Sequence, residues 1–151
     1  AQVDFALTNY PNSGLAGTQN VRIIHEFQDI FVANEDFSDL KGRTVSLKEL
    51  KEYPILMLDR KSTTSEFLHS MFQRHQLDLV PEIELSSNDL LIDLARIGLG
   101  IAFVPDYCIP TQEPGLFTVL LDEALPARQM VVARNEALPL SQAARQFIGM
   151  L

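Results

Sequence analysis

The chain has 151 residues, 46% of them apolar and 21% charged, a balance that suits one folded domain or two small lobes and excludes extensive disorder. Its formal charge is −8, and the densest basic set, Lys41, Arg43, Lys48 and Lys51, is interrupted by Glu49 and Glu52. Phosphate contacts need a basic patch, so this piece is not expected to bind DNA by itself, and no apolar run is long enough to span a bilayer.

Val3–Leu7 is the first expected strand, ended by a turn at Thr8-Asn9-Tyr10-Pro11 and a polar, glycine-containing loop over 12–17. Two more strands are expected at Val21–Glu26 and Asp29–Ala33, whose continuous apolar cores suit burial on both faces. Between them Glu26-Phe27-Gln28 interrupts the run, where the chain is expected to change lobe. Ser46 and Glu49 form a capping box for a short helix that must stop before Pro54. A strand follows at Pro54–Leu58, with proline at its first position.

The polar loop Asp59–Glu66 runs into a helix, with Thr63 and Glu66 as a second capping box and Phe67, Met71 and His75 at helical spacing. A short strand, Glu82–Leu85, leads to the N-cap cluster Ser86-Ser87-Asn88-Asp89 and a helix carrying Leu90, Leu91, Leu94 and Ile97, with Gly98 as its stop. This helix is apolar on more than one face, so it is expected to be buried on more than one side and to meet another chain. Strands are also expected at Ile101–Val104, Leu116–Leu120 and Gln129–Ala133. A final helix from about Ser141 places Ala144, Phe147, Ile148 and Leu151 on one face, which another surface is expected to cover. Strands alternating with helices predict an α/β fold with a mainly parallel sheet.

In order along the chain stand V-D-F-A-L, I-F-V-A-N, S-L-K-E-L-K-E-Y-P-I-L-M-L, S-T-T, P-E-I-E-L and L-A-R-I-G-L-G-I-A-F-V-P, with the tail L-P-L-S-Q-A-A-R-Q-F-I-G-M-L. This succession resembles the effector-binding domain of LysR-type transcriptional regulators. The helix, Gly-Leu-Gly turn, buried strand and proline carry most of the likeness. The resemblance implies a periplasmic-binding-protein-like (type 2) fold of two α/β lobes joined by crossing strands, with a small molecule bound between them. Residues 26–127 then form a complete lobe two, and residues 1–25 with 128–151 a partial lobe one, because in the family further residues precede the V-D-F-A-L strand. It also implies a cytoplasmic homodimer or tetramer that meets DNA only through an N-terminal helix-turn-helix absent from this chain. A solute-binding receptor of the same fold is the alternative.

Ser62, Thr63 and Thr64 correspond to the family's hydroxyl-rich effector loop, and at a helix start they suit a carboxylate. Helix capping alone asks for the same residue types. Thr8 and Asn9 stand where the family often places a polar effector contact, and Val104-Pro105 ends a strand where α/β ligand sites open. A small organic, anionic effector is therefore expected. Ser86, Ser87 and Asn88 read chiefly as a cap. No G-x-S-x-G elbow surrounds Ser62 and nothing assigns His69 as a base, so no catalytic residue is expected. His25, His69 and His75 are scattered, with no cysteine–histidine cluster, so neither metal nor cofactor is expected. Cys108 is the only cysteine, which excludes an internal disulfide and fits a reducing compartment. No local cationic cluster activates it.

Overall fold

The computed structural model describes residues 5–10, 20–110 and 113–134. The chain divides into two compact units, Ala1–Phe27 with Ala127–Leu151, and Gln28–Pro126. The strands are β1 (Phe5–Tyr10), β2 (Asn20–Phe27), β3 (Asp29–Ala33), β4 (Thr44–Val45), β5 (Ile55–Leu58), β6 (Ile83–Leu85), β7 (Ile101–Pro105), β8 (Phe117–Leu121) and β9 (Arg128–Arg134). The helices are α1 (Leu47–Leu50), α2 (Thr63–Arg74) and α3 (Asn88–Arg96), with 3₁₀ turns at Glu35–Leu40 and Asp106–Cys108. The expected C-terminal helix, with Ala144, Phe147, Ile148 and Leu151, lies outside the described residues.

In the first unit β9 lies between β1 and β2, antiparallel to both. The register of β2 shifts between Ile23 and His25, a one-residue bulge. Thr8 and Asn9 are strand residues opposite Val131 and Met130, not the turn that Thr-Asn-Tyr-Pro suggested. The ladder to β9 continues through Tyr10, so pairing overrides the local turn propensity.

The second unit is a six-stranded sheet in the order β4-β8-β3-β7-β5-β6. Strands β5, β6 and β7 run parallel, as do β4 and β8, whereas β3 is antiparallel to both β7 and β8. Five of the six strands therefore run the same way and β3 alone runs against them, so the expected mainly parallel sheet is found here with one reversed member. Strand β3 starts at Asp29 beside Pro105, the end of β7, so it has to run against its neighbour.

Alternation along the central strands explains why they read as continuous apolar runs. Phe31, Ala33, Ile55, Met57, Ile101 and Phe103 join Leu68, Met71 and Phe72 of α2 in one core. Val32, Leu56, Ala102 and Val104 join Leu91, Ile92 and Ala95 of α3 in the other. Helices therefore cover both faces of the sheet, and each central strand is apolar on both sides. The buried face of α2 comprises Thr64, Ser65, Leu68, Met71 and Phe72. The expected stripe of Phe67, Met71 and His75 is off by part of a turn, and His75 instead pairs with Glu123 at 2.7 Å.

The Gly-Leu-Gly turn has a steric cause. Gly98 ends α3 at φ +84°, and a Cβ there would lie 2.2 Å from Asp36 Oδ2. The amide of Asn34 donates to the Arg96 carbonyl at 3.1 Å, satisfying one of the last carbonyls of α3. A Cβ on Gly100 would lie 2.6 Å from the Pro54 carbonyl oxygen, which accepts the Ile101 N–H at 2.8 Å. Bare backbone at Gly100 lets β7 begin against β5.

Candidate functional site

Because β5, β6 and β7 are parallel and adjacent, their C-terminal ends share one edge of the sheet. Helix α2 follows β5 and α3 follows β6, on opposite faces, so both helices begin at that edge. Loops outside the carboxyl ends of parallel strands are where open α/β sheets bind ligands. The two loops are joined: the Asp59 N–H donates to the Leu85 carbonyl at 2.9 Å.

The β5–α2 loop is a compact turn built on Asp59. Its carboxylate accepts the Lys61 N–H at 3.1 Å, and its carbonyl accepts the Ser62 N–H and hydroxyl, each at 3.0 Å. Ser62 Oγ in turn accepts the Ser65 N–H at 3.0 Å, which makes Ser62 the N-cap. The expected Thr63–Glu66 capping box is therefore displaced by one residue. Ser62 has extended backbone angles, φ −82° and ψ 151°, while Thr63 is already helical. The Ser62 hydroxyl is thus engaged on both its donor and acceptor sides. Thr63 is half-buried and Thr64 is 2% exposed, while Arg60 and Lys61 are exposed beside them.

At the start of α3, Ser87 is the cap, its hydroxyl accepting the Leu90 N–H at 3.2 Å. Asn88 is consequently released from capping, and its Oδ1 is shielded from solvent with no hydrogen-bond partner among the described residues. Val104 is 0% exposed and packs in the α3-side core, so its side chain serves packing. Pro105 is buried at the end of β7, and the next residue, Asp106, donates its N–H to the Gln28 carbonyl at 2.8 Å. The second unit therefore brings Ser62, Thr63, Thr64 and Pro105 to one sheet edge. Thr8 and Asn9 belong to the first unit.

Two residues of α2 escape a motif search. Ser65 Oγ and His69 Nε2 are both shielded and lack hydrogen-bond partners among the described residues. Burial chiefly, and then the charge of Arg60, hold the His69 imidazole below its ordinary pKa, with Glu84 acting in the opposite sense. The sequence signal for Ser65 is the S-T-T-S run, once the cap is placed at Ser62. Cys108 is half-buried, and burial first, then Asp89, Asp106 and Asp29, push its thiol pKa up. Among the described residues no cluster of three or more His, Cys, Asp or Glu side chains suits a metal, and no helix is long and apolar enough to cross a membrane.

A sheet covered by helices on both faces, with two helix starts and three strand ends meeting at one edge, is the architecture of α/β ligand-binding domains of the periplasmic-binding-protein type. The family model for the LysR substrate binding domain matches residues 1–151, and the chain belongs to that family. It is 25% identical over 134 residues to the HTH-type transcriptional activator CmpR of Synechocystis sp., a match covering 87% of this chain and 44% of CmpR. The chain thus spans less than half the length of that relative. The regulatory domain of CcmR from Synechocystis PCC6803 in complex with 2-PG superposes with a TM-score of 0.83 at 19% identity, over 97% of this chain and 71% of that one. The effector binding domain of QuiR in complex with shikimate gives a TM-score of 0.78 at 14% identity, over 97% and 68%.

Proposed function

We propose that this chain is the effector-sensing part of a LysR-type transcriptional regulator and works by binding rather than by chemistry. The observation that carries this reading is the convergence of the α2 and α3 starts with the end of β7 at one edge, in a chain matched throughout by the family model. Residues 26–127 act as lobe two, and residues 1–25 with 128–151 belong to lobe one. The effector is a small organic anion. The helix start, with its positive dipole end, and the exposed Arg60 and Lys61 favour negative charge at the β5–α2 loop. CcmR with 2-PG and QuiR with shikimate support a small organic ligand. Ser62, Thr63, Thr64 and Pro105 contribute from lobe two, and Thr8 and Asn9 from lobe one.

Binding shifts the balance between conformations by its difference in affinity for them, and the regulator passes that shift to a helix-turn-helix outside this chain. The intact protein is a cytoplasmic dimer or tetramer. Family membership favours this role over a solute-binding receptor.

The test is Thr63→Val and Ser62→Ala in the full-length protein, with affinity for the effector found by thermal-shift screening of organic acids measured by calorimetry. At Thr63 a lost hydrogen bond to a charged group is worth about 1.5–3 kcal/mol, or about tenfold or more in affinity, whereas Ser62, whose proton goes to the Asp59 carbonyl, acts by holding the loop in shape. Ser62→Ala also removes a helix cap worth about 1 kcal/mol, so thermal melts must accompany it. Two folded variants that bind as tightly as the parent would leave this loop as a helix cap alone.

A further inference from the structure

His69 lies one helical turn after Ser65, so the two side chains share a face of α2. Shielded polar atoms are ordinarily hydrogen-bonded, and an exception calls for a reason. Here two occur on one helix face, Ser65 Oγ and His69 Nε2. Neither is used by the helix cap, which Ser62 supplies.

The surroundings of His69 bear on the loop. Ile83 and Leu85 of β6 pack on the α3 side of the sheet, so the intervening Glu84 faces the α2 side by strand alternation. Among the described residues, the charge of Arg60 in the β5–α2 loop lowers the His69 pKa after burial has done so, and that of Glu84 raises it. A proton on Nε2 therefore arrives at a shielded nitrogen, repelled by the guanidinium of the loop and attracted by one exposed carboxylate.

We propose that His69 links proton uptake to anion binding at the β5–α2 loop, which makes the sensing domain responsive to mild acid as well as to its effector. This rests on the reading of that loop as the effector site. The linkage has two signs. An imidazolium at His69 is disfavoured in the folded chain relative to the unfolded one, so the stability that neutral His69 contributes is fully present above about pH 6.5 and is lost as pH falls through the lowered pKa. An anion beside Arg60 offsets the repulsion between Arg60 and protonated His69. It therefore binds more tightly as pH falls, and by reciprocity its binding raises the pKa of His69. Acid loosens the empty domain and favours the loaded one.

The experiment uses sulfate, whose charge does not change between about pH 5 and 8, on the full-length protein. Urea unfolding and calorimetric sulfate affinity are followed across that range for the parent, His69→Gln, Arg60→Gln and Thr63→Val. Sulfate should bind the parent about three- to fivefold more tightly at the acid end, as expected for two partly screened charges. His69→Gln should flatten that slope and remove part of the acid loss of stability. Arg60→Gln should move the midpoint of the stability loss to higher pH, an effect a merely packed histidine would not show. Equal pH slopes of affinity in the parent and His69→Gln would overturn the linkage while leaving the anion site standing. Sulfate binding that is absent, or indifferent to Thr63→Val at every pH, would overturn the effector-loop reading and the linkage with it.

Discussion

The Gly-Leu-Gly turn joins α3 to β7 and so sets where Pro105 reaches the sheet edge at which α2 and α3 begin. Its two glycines are required for different reasons, and alanine substitution separates them. At Gly98 the backbone is left-handed, φ +84°, and a Cβ would meet Asp36 Oδ2 at 2.2 Å. The left-handed conformation costs an alanine about 1–2 kcal/mol. The contact is with the end of a mobile side chain and adds about 0.5–1 kcal/mol as Asp36 swings aside. At Gly100 the Cβ would meet the Pro54 carbonyl oxygen at 2.6 Å and two carbons of Leu56 at 2.9 Å. That carbonyl accepts the Ile101 N–H between two buried strands, so it cannot move without losing a buried hydrogen bond worth about 1–3 kcal/mol, on top of about 1–3 kcal/mol for overpacking. Gly98→Ala should therefore cost about 1.5–3 kcal/mol and Gly100→Ala about 2–6 kcal/mol in urea unfolding. Asp36→Ala in the Gly98→Ala background should recover only the steric part. If Gly100→Ala is the milder change, or if Asp36→Ala recovers the whole loss at Gly98, the account of this turn is wrong.

On α3, Leu90 and Ile97 are 45% and 68% exposed while Ile92 is 3% exposed. Leu90→Asp and Ile97→Asp should weaken self-association in analytical ultracentrifugation with little change in folding stability, whereas Ile92→Ala should cost about 2–5 kcal/mol by opening a core cavity. Undiminished association of both Asp variants would remove this face from the interface. Cys108 should alkylate slowly at neutral pH and accelerate only as pH rises past 9.0, its ordinary value, because the thiolate reacts and the thiol pKa is raised. Labelling at neutral pH as fast as a small-molecule thiol would contradict that.

Elements with a strong two-sided apolar signature were legible from sequence. Asp29–Ala33 is a strand with the bounds expected of it, and Gly98 ends α3 because no other residue suits that turn. The register of caps was less legible. S-T-T-S-E offers both a Ser62–Ser65 and a Thr63–Glu66 pairing, and only the extended backbone at Ser62 decides between them.

The core-facing side of α3 was hidden for a different reason. Leu90, Leu91, Ile92, Leu94, Ala95 and Ile97 surround the helix, and packing alone selects Leu91, Ile92 and Ala95 for the interior. That leaves Leu90 and Ile97 exposed while Ile92 is buried. The reversed direction of β3 was not legible either, since it follows from Asp29 starting beside Pro105 at the end of β7 rather than from any local pattern. Of the candidate site, Ser62, Thr63 and Thr64 were singled out by resemblance, and they lie together at the start of α2. Ser65, His69 and Asn88 emerged only from burial and unmet hydrogen bonding, which no linear motif encodes.

The central claim is that an organic anion is held where α2 begins, beside the α3 start and the end of β7. Hydrogen–deuterium exchange on the full-length protein, with and without a saturating effector, tests it most directly. The account predicts slowed exchange at the backbone amides of residues 60–65, with a smaller effect over 86–90 and at Asp106. Effector-induced protection confined to other segments, with the amides of 60–65 unchanged, would contradict it.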